Sequence, residues 1–401
     1  MRSLTTLLAL FLTLAPATLR SLGQESTITN NQRALFEQAA DYSKRFSGHA
    51  VLVQHQGNIL YERYDNWGQN IPHMLASGTK SFSGILAMFA VQDGLLELDE
   101  PVCKTITSWS DDPKKSKITI RHLLTLTSGL EPADAAFPNR NANLLTKNPV
   151  LQQRQNRIAR QDQAQGLSKL ATGNWFQDSL NVPMKHPPGT QFDYGPSHYY
   201  VLGEVINRKL QAQSSIQAKT FEEYAKLRIF DPLDIQIGRW GKDSAGNVNI
   251  PGGMMLTARN WAKFGQFVLD KGATHKEPSQ VLLKEELLMQ CFEPSAINKS
   301  YGLTWWLNGV DDQADGQLRN TTLRDRLRDE ALNREADTEI VKNGKKLKVY
   351  MAAGLGKQRL YVIPKYDLVV VRFAEPSPQG AAFKNNSFIE PILEALAATE
   401  P

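Results

Sequence analysis

In HMLASGTKSFSGIL, residues 73–86, Ser77 precedes Lys80 by three positions, and an apolar run begins one residue after the lysine. A serine hydroxyl is a weak nucleophile until a neighbouring base takes its proton. Side chains three apart on a helix share a face, so hydroxyl and amine come within reach of each other. The pair suits covalent acyl transfer, with Ser77 as nucleophile and Lys80 as base. If Ser77 opens a helix, the positive end of the helix dipole stabilises a developing alkoxide and disfavours a protonated Lys80, so both effects favour proton transfer. The plainer reading is an N-capping serine followed by a solvated lysine. Against it, no other serine of this chain has lysine three residues on, and the surroundings of Ser77 are small and apolar. Other nucleophile systems lack support: there is no GxSxG elbow, and none of the seven histidines sits in a recognisable triad motif. His198, four residues after Tyr194, reads as a structural or pocket-lining residue.

The elements around the pair follow from hydrophobic spacing. HAVLVQHQGNILYERY (49–64) has two strand-like runs about a Gln56-Gly57-Asn58 turn and predicts an antiparallel hairpin. The next helix carries Ile85, Leu86, Phe89 and Ala90 on one spacing, starts near Ser77, and has Gly94 as its cap. ITIRHLLTLTSGL (118–130) predicts a second helix, from an N-cap at Thr119 to a stop at Gly129. Residues 138–182 are polar and fit surface helices and loops. Further helices are expected at 221–235 and 257–272. Towards the end, Asn343-Gly344 marks a hairpin, QRLYVIP and DLVVVRF read as strands, and Ser387 with Glu390 marks the start of a last helix. The order strands, helices, strands, helix predicts an α/β architecture: an antiparallel sheet flanked by helices and closed by both chain ends, with an inserted all-helical domain. The expected division is 30–100 and 250–401 for the sheet domain and 101–249 for the helical one.

A chain of 401 residues with 41% hydrophobic content can bury a full core. The N-terminal stretch places Arg2 before an apolar run from Leu4 to Leu14, then Ala15, Pro16 and Ala17, the pattern of a cleavable secretory signal over residues 1–23. The run is too short for a spanning helix, so the expectation is a secreted or periplasmic protein without stable membrane insertion. Export permits a bridge between Cys103 and Cys291, but their spacing leaves two free thiols equally open. No metal or cofactor site is signalled. The net charge of +5 is mixed with acids, as in LRDRLRDEALNREADTE (323–339), the pattern of a solvated helix face and not of a nucleic-acid surface.

LASGTKSF closely resembles the SxxK segment of the serine hydrolases grouped with class C β-lactamases, penicillin-binding proteins and their esterase relatives. The resemblance continues in order. LLELDEPV (95–102) and ITIRHLLTLTSGL look like the next two family segments, and PPGTQFDYGPSHYYVLGEVI (187–206) is similar to the family's tyrosine region. GGMMLTARNWAKFGQFVLDKG and YGLTWWL (301–307) look like two later ones. This implies a β-lactamase-like fold and makes Tyr194 the second catalytic group, sharing the general-base role with Lys80 and later protonating the leaving group. A literal YDN at Tyr64–Asn66 precedes the serine and is read as a decoy.

Two departures stand out. The family's tyrosine motif usually has Asn two residues on, where this chain has Pro196, which offers no side-chain donor. A literal KTG or HTG is missing from the late strand; KNG at Lys342–Gly344 reads as hairpin chemistry. AAGLGKQRLYVIP (352–364) stands there and most resembles the branch of 6-aminohexanoate-oligomer (nylon-oligomer) hydrolases. That resemblance implies an oxyanion hole from the N–H groups of Ser77 and Leu355, with Gly354, Gly356 and Gln358 lining the substrate side; a plain hairpin glycine pair is the alternative. Tyr199, Trp305 and Trp306 are either pocket or core residues. The charged stretch 311–345 either shapes the cleft or is a solvated excursion. Three functions remain open: a serine hydrolase of small esters or amides, a β-lactamase or D-alanyl-D-alanine peptidase on cell-wall substrates, and a catalytically silent binding protein.

Overall fold

Gln56 and Gly57, both at positive φ, turn the chain between β1 (Gly48–His55) and β2 (Asn58–Tyr64), and this hairpin forms one side of a six-stranded sheet. The structure is a computed structural model describing residues 28–133, 172–308, 340–377 and 379–397. The expected signal segment 1–23 and most of the charged stretch 311–345 lie outside the described residues. Two short strands follow the hairpin in the chain: β3 (His73–Met74) and β4 (Arg239–Trp240). Later come β5 (Met254–Leu256), β6 (Trp306–Asn308), β7 (Val341–Lys342), β8 (Lys345–Lys346), β9 (Val349–Gly354), β10 (Gln358–Ile363) and β11 (Leu368–Ala374). The large sheet runs β2-β1-β11-β10-β9-β6, and every pairing in it is antiparallel. Strands β9 to β11 are buried along their whole length, which explains why they read as continuous apolar runs: both faces are covered.

Among the described residues the helices are α1 (Asn30–Arg45), α2 (Ser81–Gln92), α3 (Ile120–Leu124), α4 (Trp175–Leu180), α5 (Ser197–Ala212), α6 (Phe221–Ala225), α7 (Ala258–Leu269), α8 (Glu285–Gln290) and α9 (Asn385–Ala397). α1 and α9 pack together over one face of the sheet, where Arg372 of β11 donates to Ser43 Oγ of α1 (2.9 Å). α7 covers the other face, where Gln54 of β1 donates to Gln266 Oε1 (2.7 Å). The first and last strands of the chain meet at the middle of the sheet, Val51 opposite Arg372. Residues 101–249 carry α3 to α6 and also β4, which joins β5 and β3 in a separate three-stranded sheet.

The structure corrects some local expectations and decides others. The helix expected to begin at Ser77 opens with a 3-10 turn, Ala76–Lys80, before α2 starts at Ser81. The helix expected over 118–130 has its Thr119 cap but ends at Leu124, because Leu126 takes a left-handed conformation (φ 59°). α9 begins at Asn385, so Ser387 is an interior residue and not a cap. Cys103 and Cys291 are unbridged thiols. Asn343-Gly344 does form the β7–β8 hairpin, which assigns KNG to turn chemistry.

Candidate active site

The small sheet brings the reactive residues together. β3 pairs with β5, His73 opposite Leu256 and Met74 opposite Met255, and the Leu75 N–H donates to Met254 O (3.0 Å). The chain then turns sharply at Ala76, whose φ of 49° is rare for a residue with a Cβ. The turn is pinned from both sides, since Thr79 Oγ1 donates to Ala76 O (2.8 Å) and accepts from the Met254 N–H (3.3 Å). In a 3-10 turn, side chains at i and i+3 eclipse. Lys80 therefore lies along Ser77, its Nζ 3.0 Å from Ser77 Oγ. Ser77 is half-buried, whereas Lys80 is only 6% exposed. The amine also donates to the Pro251 carbonyl (2.6 Å), a contact that the β3–β5 pairing delivers.

Tyr194 faces the same amine, with Lys80 Nζ 4.8 Å from its ring centroid and 5.5 Å from that of Tyr199. Trp306 stacks on Tyr194 at 6.1 Å and 26°, which places this residue beside the site; Trp305 is fully buried among Phe264 and Phe292 and belongs to the core. The Tyr199 hydroxyl lies 3.0 Å from that of Tyr301. Burial, with Tyr194 adding to it, pushes both of these tyrosines well above the usual phenol range. They stay neutral, and Tyr194 beside them is half-buried. His198 is fully buried, with Nδ1 2.8 Å from Ser128 Oγ and Nε2 2.8 Å from Asp193 O. It fastens the loop before Tyr194. Tyr64, by contrast, donates to Glu62 (3.0 Å) at the end of β2 and takes no part in the site.

The end of β9 packs directly on the nucleophile's turn. A Cβ built on Gly354 would lie 2.0 Å from Leu75 O and 3.2 Å from Ala76 Cβ, so only glycine allows this approach. Gly356 needs its own freedom for a φ of 81°. Among the described residues, neither the Ser77 nor the Leu355 N–H meets an acceptor. Gln358 corrects the expectation of a substrate contact: it is 2% exposed, its Nε2 donates to Leu355 O (3.1 Å) and Ala374 O (2.5 Å), and its Oε1 accepts from the Ala374 N–H (2.9 Å). It braces the turn from behind. Gly354→Ala is expected to push β9 off the 75–76 backbone and lower kcat on the order of a hundredfold, as displacements near 1 Å do; steady-state kinetics on an ester substrate check this.

The Beta-lactamase family model matches residues 32–389. The chain belongs to this family. Among curated relatives, the lovastatin esterase of Penicillium rubens is 27% identical over 231 residues, half of each chain. The acyltransferase calJ of Penicillium decumbens is 41% identical over 291 residues, 62% of this chain and 65% of that one. The chain thus spans about half to two thirds of the length of these relatives. A Bacillus anthracis structure assigned as a 6-aminohexanoate-dimer hydrolase shares the fold, with a TM-score of 0.55, 18% identity and coverage of 90% of this chain and 80% of that one.

Within the Beta-lactamase family frame, Pro196 is the N-cap residue of α5 and brings no amide to Lys80. The Pro251 carbonyl is a polar partner of the lysine, and sequence reasoning missed it because a backbone oxygen has no residue signature. Arg359 and Arg372, buried behind the turn from Gly354 to Gln358, were also missed.

Proposed function

We propose that the chain is an exported serine hydrolase that acylates Ser77 and cleaves small esters or linear amides. The observation that carries this reading is the 3.0 Å separation of Lys80 Nζ and Ser77 Oγ in a turn where both are held. A neutral amine has two N–H donors and one lone pair. One N–H spent on the Pro251 carbonyl leaves the lone pair for the serine proton. As Ser77 Oγ bonds to the acyl carbon, its proton passes to Lys80, and the carbonyl electron pair moves onto the oxygen held by the N–H groups of Ser77 and Leu355. Collapse of that adduct expels the alcohol or amine, which takes the proton through Tyr194 and Lys80. Water then repeats the sequence on the acyl group and frees Ser77.

The same acyl-enzyme serves transfer when an alcohol takes the place of water, and the names of the two curated relatives cover both outcomes. The silent-binding reading is disfavoured by the presence of nucleophile, amine and phenol in contact. Export rests on the composition of residues 1–23, and cell fractionation tests it. The experiment for the activity is fluorophosphonate labelling of the purified protein with peptide mapping, followed by turnover of p-nitrophenyl esters with and without an added alcohol. Labelling at Ser77 with release of p-nitrophenol supports the reading, and absence of both would end it.

A further inference from the structure

The turn carrying Leu355 is fastened from the far face of the sheet. Arg359 and Arg372 stand directly opposite each other on β10 and β11, and Ala353 of β9 is opposite Arg359, so these side chains leave one face. Gly354 faces the other way, towards Leu75. The two guanidinium groups therefore lie behind the turn and not in the cleft, 1% and 0% exposed. Arg359 Nη1 donates to Gly354 O (3.3 Å) and Gln358 O (3.0 Å). Arg372 Nη1 donates to Lys357 O (2.9 Å) and, more loosely, to Gly356 O (3.5 Å). With Gln358 holding Leu355 O, each carbonyl from Gly354 to Gln358 accepts from a buried side chain. In a trans peptide the C=O and N–H point in opposite directions. Drawing Gly354 O towards Arg359 thus turns the Leu355 N–H the opposite way.

The arrangement is expensive for the fold. Like charges facing each other across a sheet are destabilising, and more so out of water. Among the described residues, the acceptors for Arg372 are oxygens of Ser43, Phe46, Gly356 and Lys357, with the Phe383 ring 3.9 Å from Cζ; none is a carboxylate. Burial accordingly pushes the Arg372 guanidinium below the usual arginine range. An apolar residue in place of Arg372 would remove that charge and leave the carbonyls of Ser43, Phe46 and Lys357 without this donor.

We propose that Arg359 and Arg372 are positioning residues of the oxyanion hole: they hold the turn's carbonyls inward, keep the Leu355 N–H aimed at the cleft, and set positive charge behind the oxygen that becomes negative. This inference rests on the reading of Ser77 as the acylated nucleophile. It is tested with kcat per active site, the sites being titrated by fluorophosphonate, and with the affinity of an arylboronic acid, whose tetrahedral anion on Ser77 carries the charge of the intermediate. Arg372→Met is expected to lower kcat at least tenfold, on the order of what one oxyanion donor contributes, to leave KM within about threefold, and to weaken boronate binding by the same factor as kcat. Arg372→Lys, which keeps the charge without the planar fork, is expected to recover part of both losses. General loosening of the fold would reduce the titratable sites instead of coupling kcat to boronate affinity. Should Arg372→Met not fold, Arg359→Met is measured in the same way. Ser77 labelled, with kcat and boronate affinity within about twofold of wild type, would overturn this inference alone; an unlabelled Ser77 in the wild type would overturn the hydrolase reading and this inference together.

Discussion

Ser77→Ala is expected to abolish fluorophosphonate labelling and to lower kcat/KM for a short p-nitrophenyl ester by on the order of 10^4-fold or more, because nucleophile and base act as a unit. Lys80→Ala should cost nearly as much: the amine is the group 3.0 Å from Ser77 Oγ, and the neighbouring tyrosines Tyr199 and Tyr301 are held neutral by burial. Lys80→Arg should not rescue activity, since a guanidinium cannot give up its proton to serve as a base. Tyr194→Phe keeps the ring against Trp306 and removes the hydroxyl, so a loss of about 10^2 to 10^4 in kcat is expected, the usual scale of general acid-base help. The double variant Ser77→Ala/Lys80→Ala should be no worse than Ser77→Ala alone. Steady-state kinetics decide the matter, and full turnover in Ser77→Ala would end the hypothesis.

The second large effect concerns substrate class. A β-lactam or peptidyl substrate carries an amide beside the reacting carbonyl and a carboxylate, groups that this family's resemblance assigns to the tyrosine-motif Asn and a polar late-strand motif. Here Pro196 caps α5 and donates nothing; of the two polar side chains of the late turn, Gln358 is occupied behind it by Leu355 and Ala374, and Lys357 is only 6% exposed. An unpaired buried amide costs about 1 to 3 kcal/mol, or roughly tenfold to a hundredfold in rate per lost contact. Small esters and linear amides ask only for the two N–H donors and an apolar wall such as Trp306. We therefore expect measurable hydrolysis of short p-nitrophenyl esters and little turnover of cephalosporins. Parallel assays on the two substrates test it, and efficient cephalosporin cleavage with negligible esterase activity would reverse the preference.

What was legible in the sequence was local. Ser77 and Lys80 are three residues apart, so their meeting depends on one turn, and the 3-10 turn found in place of the expected α-helical start still eclipses them. The glycines of the late turn were legible as a demand for close approach. The direction of Gln358 was not, because which face of β10 meets the core depends on the helices packed against it. QRLYVIP and DLVVVRF read correctly as strands, yet an arginine within an apolar run gives no sign of complete burial. Here α1 and the residue after it supply the Ser43 and Phe46 oxygens that make burial of Arg372 tolerable. The Pro251 carbonyl was out of reach for the same reason: it arrives at Lys80 only through the pairing of β3 with β5.

The pairing of β1 with β11 also governs when the molecule becomes competent. Arg372 meets Ser43 across 329 positions of chain, and the turn bearing Leu355 joins β9 to β10, the neighbour of β11 in the sheet. Such distant closure carries an entropic charge before any contact repays it, which places folding among the slower topologies. During synthesis the serine and its amine emerge early, while their oxyanion donor emerges late. Reactivity towards acyl compounds is therefore expected to wait until Leu355 has joined the sheet, and refolding monitored by recovery of fluorophosphonate reactivity should lag behind the appearance of helical signal.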